Sequence, residues 1–305
     1  MSRARDIAAF LLMALLFGGA FPAIEVGLRS LPPLLLAGVR YGVSGALLLG
    51  YALVRTDDWR PRVRADFAAV LAGGVFFIGG SGLTFVGQQY TTAGTAAVVF
   101  SAIPILTVVV GHVLLPGERV SRRGAVGLVV GVVGVAIVVR PESGGSKLGA
   151  GLVGEVLVFL AALSVTLGTV LVRRSDPPMP VVALTGWSMV LGAVIQVALG
   201  VAVGESFASA RFDPAAVLAL AYLAVLASGV GFVVYFDLLS RVGPLEVNLV
   251  SYLVPVVSVV VGWVLLGEPV SPSTLAGFGV IVAGFALLKD RELAAELAKY
   301  RGAAR

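Results

Sequence analysis

The chain has 305 residues, of which 58% are hydrophobic and 13% are charged, and its mean hydropathy is +1.02. A soluble domain has about one-quarter charged residues, so this composition excludes an ordinary water-soluble globule. The net charge of +5 does not indicate a nucleic-acid-binding protein, because the basic residues stand in short clusters between apolar runs and form no basic face. The chain has no cysteine, which excludes disulfide bonds and thiolate metal sites.

Apolar runs long enough to cross a bilayer, which takes about 20 residues, recur along the chain. The breaks between them carry turn residues such as Leu31-Pro32-Pro33 and Gly243-Pro244. The first run is too long for the apolar core of a secretion signal, so we interpret it as a membrane helix. The predicted fold class is an all-α integral membrane protein with ten transmembrane helices, at residues 7–28, 34–54, 67–88, 93–115, 124–140, 149–172, 181–203, 215–239, 245–266 and 274–288.

Lysine and arginine are distributed unevenly between alternate loops. If the N-terminus is cytoplasmic, the cytoplasmic segments hold 17 of the 22 basic residues, the external segments hold 4, and Arg40 lies within a span. Positively charged loops stay on the cytoplasmic side. The bias therefore predicts a multi-pass protein of the cell membrane with both termini in the cytoplasm, and residues 289–305 as a cytoplasmic tail. An even number of spans is favoured because a missed helix would invert the later loops.

The fourth and ninth spans resemble each other. Residues 108–115 match residues 259–266 at nearly every position, and Pro104 falls on Pro255 in the same register. Valine and leucine identities are common in such a chain, but proline and glycine coincidences are not. After a one-residue gap the match continues at Glu118, Gly127 and Gly134, which fall on Glu268, Gly277 and Gly284.

This internal match predicts two repeats of five helices, residues 1–147 and 148–288. Because five is an odd number, the second repeat must lie inverted relative to the first. Inverted repeats are typical of transporters that bind a solute near the midplane and rock around it to give alternating access. The architecture therefore favours a transporter over a channel or an enzyme.

Several motifs carry a family resemblance, namely residues 14–21, Leu31-Pro32-Pro33, residues 36–40, residues 96–104, Val254-Pro255-Val256 and Leu266-Gly267-Glu268. In these motifs the chain resembles the drug/metabolite transporter superfamily and, within it, the EamA-type ten-helix transporters. The resemblance covers roughly residues 8–288. It implies two EamA-like repeats and secondary export or exchange of small metabolites, without fixing the substrate. The chain departs from the family at Phe17, where tryptophan is frequent, and at Ser164-Val165, where an aromatic residue is common.

Three charged residues lie within predicted spans, and charges there usually face the bundle interior or a wet cavity. Glu25 and Arg40 lie near the outer ends of the first two spans, and Glu155 enters the sixth span from the same side. We predict that they cluster and act in gating or coupling, with Gln88 and Gln89 at the rim of the entrance. The alternative is a structural Glu25–Arg40 pair, or extension of these side chains to the headgroups.

Aromatic and hydroxyl side chains near mid-span predict a pocket for an amphipathic or weakly charged solute. Helix packing explains any single one of them equally well. The candidates are Phe17, Phe21, Phe77, Ser81, Phe100, Ser101, Ser164, Thr166, Trp187, Ser228, Phe232 and Tyr252. Glu118 and Glu268 occupy equivalent turns, and we expect each to cap the helix that follows it.

The sequence favours a secondary-active exporter or exchanger of small metabolites. A passive channel or facilitator is the first alternative. An intramembrane enzyme is disfavoured, since the chain has one histidine, no cysteine and no His-Glu-x-x-His motif. No Walker motif is present, and we predict no cofactor and no metal. The expected partners are a small metabolite and the lipid bilayer, without nucleic acid, and both a monomer and a homodimer stay open.

Overall fold

A computed structural model describes residues 3–115, 122–138, 148–242, 247 and 250–288. Within these ranges the regular structure is helical and no strand occurs. The helices are α1 (Arg3–Gly18, continued by Ala20–Leu28), α2 (Pro33–Arg55), α3 (Arg64–Ala72, the π-helical Gly73–Gly79 and Gly80–Gly87), α4 (Ala93–Phe100 and Ile103–Leu114), α5 (Arg122–Val138), α6 (Leu148–Ser175), α7 (Val181–Ala202), α8 (Pro214–Ala221, the π-helical Tyr222–Val230 and Gly231–Val242), α9 (Val250–Val261 and the π-helical Gly262–Leu266) and α10 (Pro272–Leu288).

Each of these helices lies where the sequence predicts a span. Seven of them, α1 to α4 and α6 to α8, contain segments long and apolar enough to cross a membrane, whereas α5, α9 and α10 are shorter apolar helices. The prediction of an all-helical membrane protein is confirmed at this level. Glu118 and the predicted tail at 289–305 lie outside the described residues.

The π-helical segments of α3 and α8 present backbone carbonyls that accept hydrogen bonds from neighbouring helices. Gln196 on α7 donates through Nε2 to the Ile78 carbonyl at 2.6 Å, and Ser44 on α2 donates to the Ala224 carbonyl at 2.9 Å. Wide turns of this kind are frequent at functional sites. Here they connect α3 to α7 and α8 to α2 through buried polar side chains.

Helices α5 and α10 are in backbone contact through pairs of glycine residues. A Cβ atom added to Gly127 would lie 2.5 Å from the Gly284 carbonyl oxygen, and one added to Gly277 would lie 2.8 Å from the Gly134 carbonyl oxygen. The contacts are reciprocal, because Gly284 approaches Gly127 and Gly134 approaches Gly277 equally closely. An early residue of one helix thus faces a late residue of the other, so α5 and α10 are antiparallel. Glycine permits this close approach.

Helices α2 and α7 pack in the same way. The Cβ position of Gly38 lies 3.2 Å from the Ala193 carbonyl oxygen, and that of Gly45 lies 3.0 Å from the Gly186 carbonyl oxygen. The earlier glycine of α2 again faces the later residue of α7. This second pair of helices is therefore antiparallel as well.

The α1–α2 turn and the α7–α8 loop meet at one end of the bundle, which we name the α1–α2 end. The two carboxylate oxygens of Glu205 accept the Leu34 and Leu35 N–H groups at 3.1 and 2.9 Å, capping the start of α2. The Ser30 hydroxyl donates to Asp213 at 2.5 Å. This bond is the main cause that lowers the pKa of the exposed Asp213 carboxyl below its ordinary value.

The α2–α3 and α6–α7 loops meet at the opposite end, named the α2–α3 end. Asp66 accepts the Met179 N–H at 3.3 Å, next to the start of α7. Trp187 donates through Nε1 to the Trp59 carbonyl at 2.8 Å, and the two indole rings stack with centroids 6.2 Å apart. Residues before and after position 148 are therefore joined at both ends of the bundle.

We predict that Gly277→Leu destabilises the protein and that Gly279→Leu, two residues further along α10, does not. The first side chain has no room against the Gly134 carbonyl, whereas nothing lies within 4 Å of the Cβ position of Gly279. Overpacking of a tight contact costs about 1–3 kcal/mol. Thermal unfolding of the detergent-purified variants, followed by tryptophan fluorescence, measures the difference. Equal melting temperatures would show that the α5–α10 contact is not tight.

Candidate functional site

Arg40 on α2 is buried, with 8% of its surface exposed. Among the side chains that the structure describes, it is the only basic one in the buried class. Its Nε donates to the Ser228 hydroxyl at 3.0 Å, and its Cζ lies 4.8 Å from the Tyr41 ring centroid and 5.8 Å from the Phe85 ring centroid. No carboxylate of the described residues forms an ion pair with it. The guanidinium thus lies between α2, α3 and α8 among neutral groups.

The Arg40 side chain reaches deeper than the position of its backbone indicates. Its backbone lies in the second turn of α2, but its partner Ser228 lies in the π-helical segment near the middle of α8. One turn further along α2, Ser44 donates to the Arg40 and Ala224 carbonyls at 2.6 and 2.9 Å, which fixes α2 against α8. The guanidinium therefore lies near the centre of the bundle, not near the outer end of α2.

Polar side chains continue along α3 towards the α1–α2 end. Ser81 donates to the Tyr41 hydroxyl at 3.2 Å, and Gln88 donates through Nε2 to the Phe21 carbonyl at 3.1 Å. The Gln88 Oε1 atom and the Thr84 hydroxyl are sealed from solvent and have no hydrogen-bond partner in the described part of the chain. Gln88 is therefore an interior residue at the end of α3, whereas its neighbour Gln89 is exposed.

A carboxylate pair lies at the α1–α2 end. Glu25 forms an ion pair with Arg29 at 3.7 Å, and its carboxyl group lies beside that of Glu268. Glu268 accepts the Ala93 N–H at 2.8 Å, so it caps α4. We expected Glu268 to cap α10, the helix that follows it; this expectation is wrong, because the left-handed turn at Gly267 (φ +68°) precedes a carboxylate that reaches the start of α4.

The three charged residues predicted to cluster lie in different surroundings. Arg40 contacts Ser228 and aromatic rings, and Glu25 contacts Arg29 and the Glu268 carboxyl. Glu155 is partly buried on α6, next to Gly154, which packs closely against α3. The structure therefore does not bring Arg40 into contact with either predicted carboxylate partner.

Aromatic pairs join α1 to α8 and to α4. Phe17 lies 5.6 Å from Phe232, and Phe21 lies 5.5 Å from Phe100, measured between ring centroids. Ser101 follows Phe100 at the break in α4 and donates to a carbonyl of its own helix. These predicted pocket residues therefore lie where α1, α4 and α8 face one another.

Other predicted pocket residues pack α3 against α6. The Phe77 backbone lies 2.5 Å from the Cβ position of Gly168, and Ser164 donates to the Phe76 carbonyl at 2.9 Å. Thr166 donates to a carbonyl within α6. The contacts of Phe77 and Ser164 hold α3 against α6, and Phe77 also packs against the cluster that contains Tyr41 and Phe85.

Two further candidates lie elsewhere in the bundle. Tyr252 packs on Phe285 of α10, with ring centroids 4.7 Å apart, and its hydroxyl is sealed without a partner in the described residues. Trp187 belongs to the stacked indole pair at the α2–α3 end. Sequence reasoning missed Tyr41 and Phe85, the two rings beside Arg40. Tyr41 is adjacent to Arg40 in sequence, but nothing in the sequence indicates that Phe85 reaches the same place.

The chemistry available at this site is recognition by a cation and by hydroxyl groups. Within the described ranges, no group of three or more histidine, aspartate or glutamate side chains is placed to hold a metal ion. The Arg40 guanidinium offers hydrogen-bond donors in a fixed plane. The Ser228 hydroxyl is bonded to it, and the nearby Tyr41 ring carries a hydroxyl that is bonded to Ser81. Such a group has the chemistry to bind and orient a solute.

Known proteins of similar sequence are membrane transporters by name. YedA, an uncharacterized inner membrane transporter of Escherichia coli, is 29% identical over 281 residues, which cover 92% of this chain and 89% of YedA. The uncharacterized transporter YvbV of Bacillus subtilis is 27% identical, covering 94% and 92%. A probable amino-acid metabolite efflux pump of Salmonella typhimurium is 28% identical, covering 93% and 94%.

A solved crystal structure shares the fold, with a TM-score of 0.65 over 97% of this chain and 99% of that chain, at 20% identity. The sequence profile of the EamA-like transporter family matches twice, at residues 5–140 and again at 152–289. Together the two matches cover most of the 305 residues. The chain belongs to the EamA-like transporter family.

Proposed function

We propose that this protein is a secondary-active transporter that exports or exchanges small metabolites across the cell membrane by alternating access. The observation that carries the proposal is the reciprocal glycine contact between α5 and α10. Membership of a family of transporters supports the transport of a small molecule. The contacts between the two parts of the chain support the mechanism.

The glycine contacts between α5 and α10 have the pattern expected of two-fold symmetry. Gly127 and Gly277 are equivalent positions of the two predicted repeats, and so are Gly134 and Gly284. Gly127 contacts Gly284, and the equivalent of each, Gly277 and Gly134, form the second contact. When a contact is accompanied by the contact between the equivalent residues, a two-fold axis relates the two partners.

The antiparallel direction of α5 against α10, and of α2 against α7, supports an axis that lies in the plane of the membrane. That geometry is the one expected of inverted repeats. It supports two halves, residues 1–147 and 148–288, and the family profile matches once in each of them. Since each half holds five of the helices, the bundle then has ten spans, with α5, α9 and α10 as the short ones.

Hydrogen bonds join the two halves at both ends of the bundle. Glu205 and Glu268 cap α2 and α4 at the α1–α2 end, and Asp66 with Trp187 holds the α2–α3 end. In alternating access, one set of such contacts separates while the other stays closed. With cytoplasmic termini, the α1–α2 end faces outwards, and the name of the Salmonella relative supports efflux as the direction.

The proposed topology predicts that the α2–α3 and α7–α8 loops lie on opposite sides of the membrane. Asp57 and Ala208 are exposed residues of these loops, and the chain has no native cysteine. We expect Ala208→Cys to react with a membrane-impermeant maleimide in intact cells, and Asp57→Cys to react only after permeabilisation. Labelling of both from the same side would contradict inverted repeats.

The proposed mechanism predicts saturable flux and counterflow in proteoliposomes. A carrier exposes its site to one side at a time, so unlabelled solute on the far side accelerates entry of labelled solute. The measurement uses radiolabelled amino acids, tested singly with liposomes that lack the protein as the control. Flux that rises linearly with concentration and shows no counterflow would favour the alternative, a passive facilitator.

A further inference from the structure

The Arg40 guanidinium carries a positive charge inside the bundle without a described carboxylate partner. Side chains that stay charged at membrane depth are costly, and they usually pair with one another or mark a solute pathway. Removal of a charge from water is costly unless a partner compensates it. The compensation that the structure shows is partial, since it consists of one hydroxyl and two aromatic rings.

Most hydrogen-bonding capacity of this guanidinium is unused. A guanidinium has five N–H donors, and within the described chain the Nε donor alone has a partner, Ser228. The sealed side-chain atoms without a partner belong to Glu25, Thr84, Gln88, Gln196 and Tyr252, and the terminal nitrogens of Arg40 are not among them. The two Nη groups are therefore not sealed from solvent, although the residue as a whole is buried.

The charge of the site indicates which anion fits. Arg40 is the only buried basic side chain that the structure describes, so the site supplies a single positive charge. A carboxylate carries one negative charge and matches the planar pair of Nη donors bidentately. A phosphate monoester carries between one and two negative charges near neutral pH, and its second charge has no cation here.

We propose that Arg40, supported by Ser228, binds the carboxylate of the transported solute. This inference rests on the proposed transport function and adds the chemical class of the substrate. The Tyr41 and Phe85 rings lie beside the guanidinium, and Ser44 holds the Arg40 turn against α8. Arg40 is thus a substrate-binding residue, and Ser228 positions its guanidinium.

The test is a thermal-shift assay of the detergent-purified protein with solutes that differ by one carboxylate. L-phenylalanine is compared with phenylethylamine, L-leucine with isoamylamine, and L-threonine with 1-aminopropan-2-ol; phenyl phosphate is the phosphate probe. A ligand that binds the folded state raises its melting temperature. We expect the carboxylates to raise it, and the decarboxylated partners and phenyl phosphate to leave it nearly unchanged.

Substitutions at Arg40 and Ser228 test whether the shift in melting temperature arises at this site. Arg40→Gln is expected to weaken the apparent affinity for the carboxylate roughly 10- to 100-fold, as loss of a charge-assisted contact does. The affinity of Arg40→Lys for the carboxylate is expected to lie between those of the unchanged protein and Arg40→Gln, because an ammonium group is a point charge without a planar fork. Ser228→Ala keeps the charge and is expected to weaken binding less. The matched control is Ser258→Ala, which removes another fully buried hydroxyl, bonded to the Ala93 carbonyl, and is expected to bind normally.

The proposal is overturned if no carboxylate raises the melting temperature, if the decarboxylated partners or phenyl phosphate raise it as much, or if the shift persists in Arg40→Gln. If Arg40→Gln fails to fold, the carboxylate affinities of Ser228→Ala and Ser258→Ala are compared instead. Equal affinities of these two variants overturn the proposal. Failure of the transport function is a separate result. In that case carboxylates bind through Arg40, but proteoliposomes show no counterflow.

Discussion

The bilayer requires the backbone N–H and C=O groups within it to find their partners inside the protein. That constraint accounts for the placing of several polar side chains in this bundle. The π-helical turns of α3 and α8 present carbonyls, and Gln196 and Ser44 from neighbouring helices donate to them. The starts of α2 and α4 are capped by Glu205 and Glu268. Each of these bonds joins elements distant in sequence, so the same groups that satisfy the backbone also hold the bundle together.

Close contact between helices also holds the bundle together, without polar groups. Hydrocarbon offers no hydrophobic drive for helices to associate, so van der Waals packing between small residues takes its place. The antiparallel glycine contacts of α5 with α10, and of α2 with α7, relate one half of the chain to the other. These close contacts between the halves are consistent with the proposed transporter, in which the two halves rock around a central site.

Arg40 stands apart as the one buried basic side chain of the described residues, and most of its donors have no partner among them. The structure satisfies one of its donors and surrounds it with rings, but offers it no described counter-charge. The two carboxylates at the α1–α2 end, Glu25 and Glu268, belong to the contact between halves. In the proposed transporter, the cation at the centre would serve recognition of the solute, and the acidic groups at one end would serve closure of the path.

The sequence by itself determined the membrane environment, the helices and the internal repeat. Hydropathy and the Pro/Gly breaks are local properties, and they decide directly which segments partition into a bilayer as helices. It also singled out Arg40 and Ser228, since polar residues are rare at such depth. Only the tertiary structure decided that these two meet, that Phe85 joins them, and that Glu268 caps α4 instead of α10. The physical reason is that the partner of a long side chain lies on another helix. The rotation and packing of that helix are fixed by the whole bundle, not by the spacing of residues along one span.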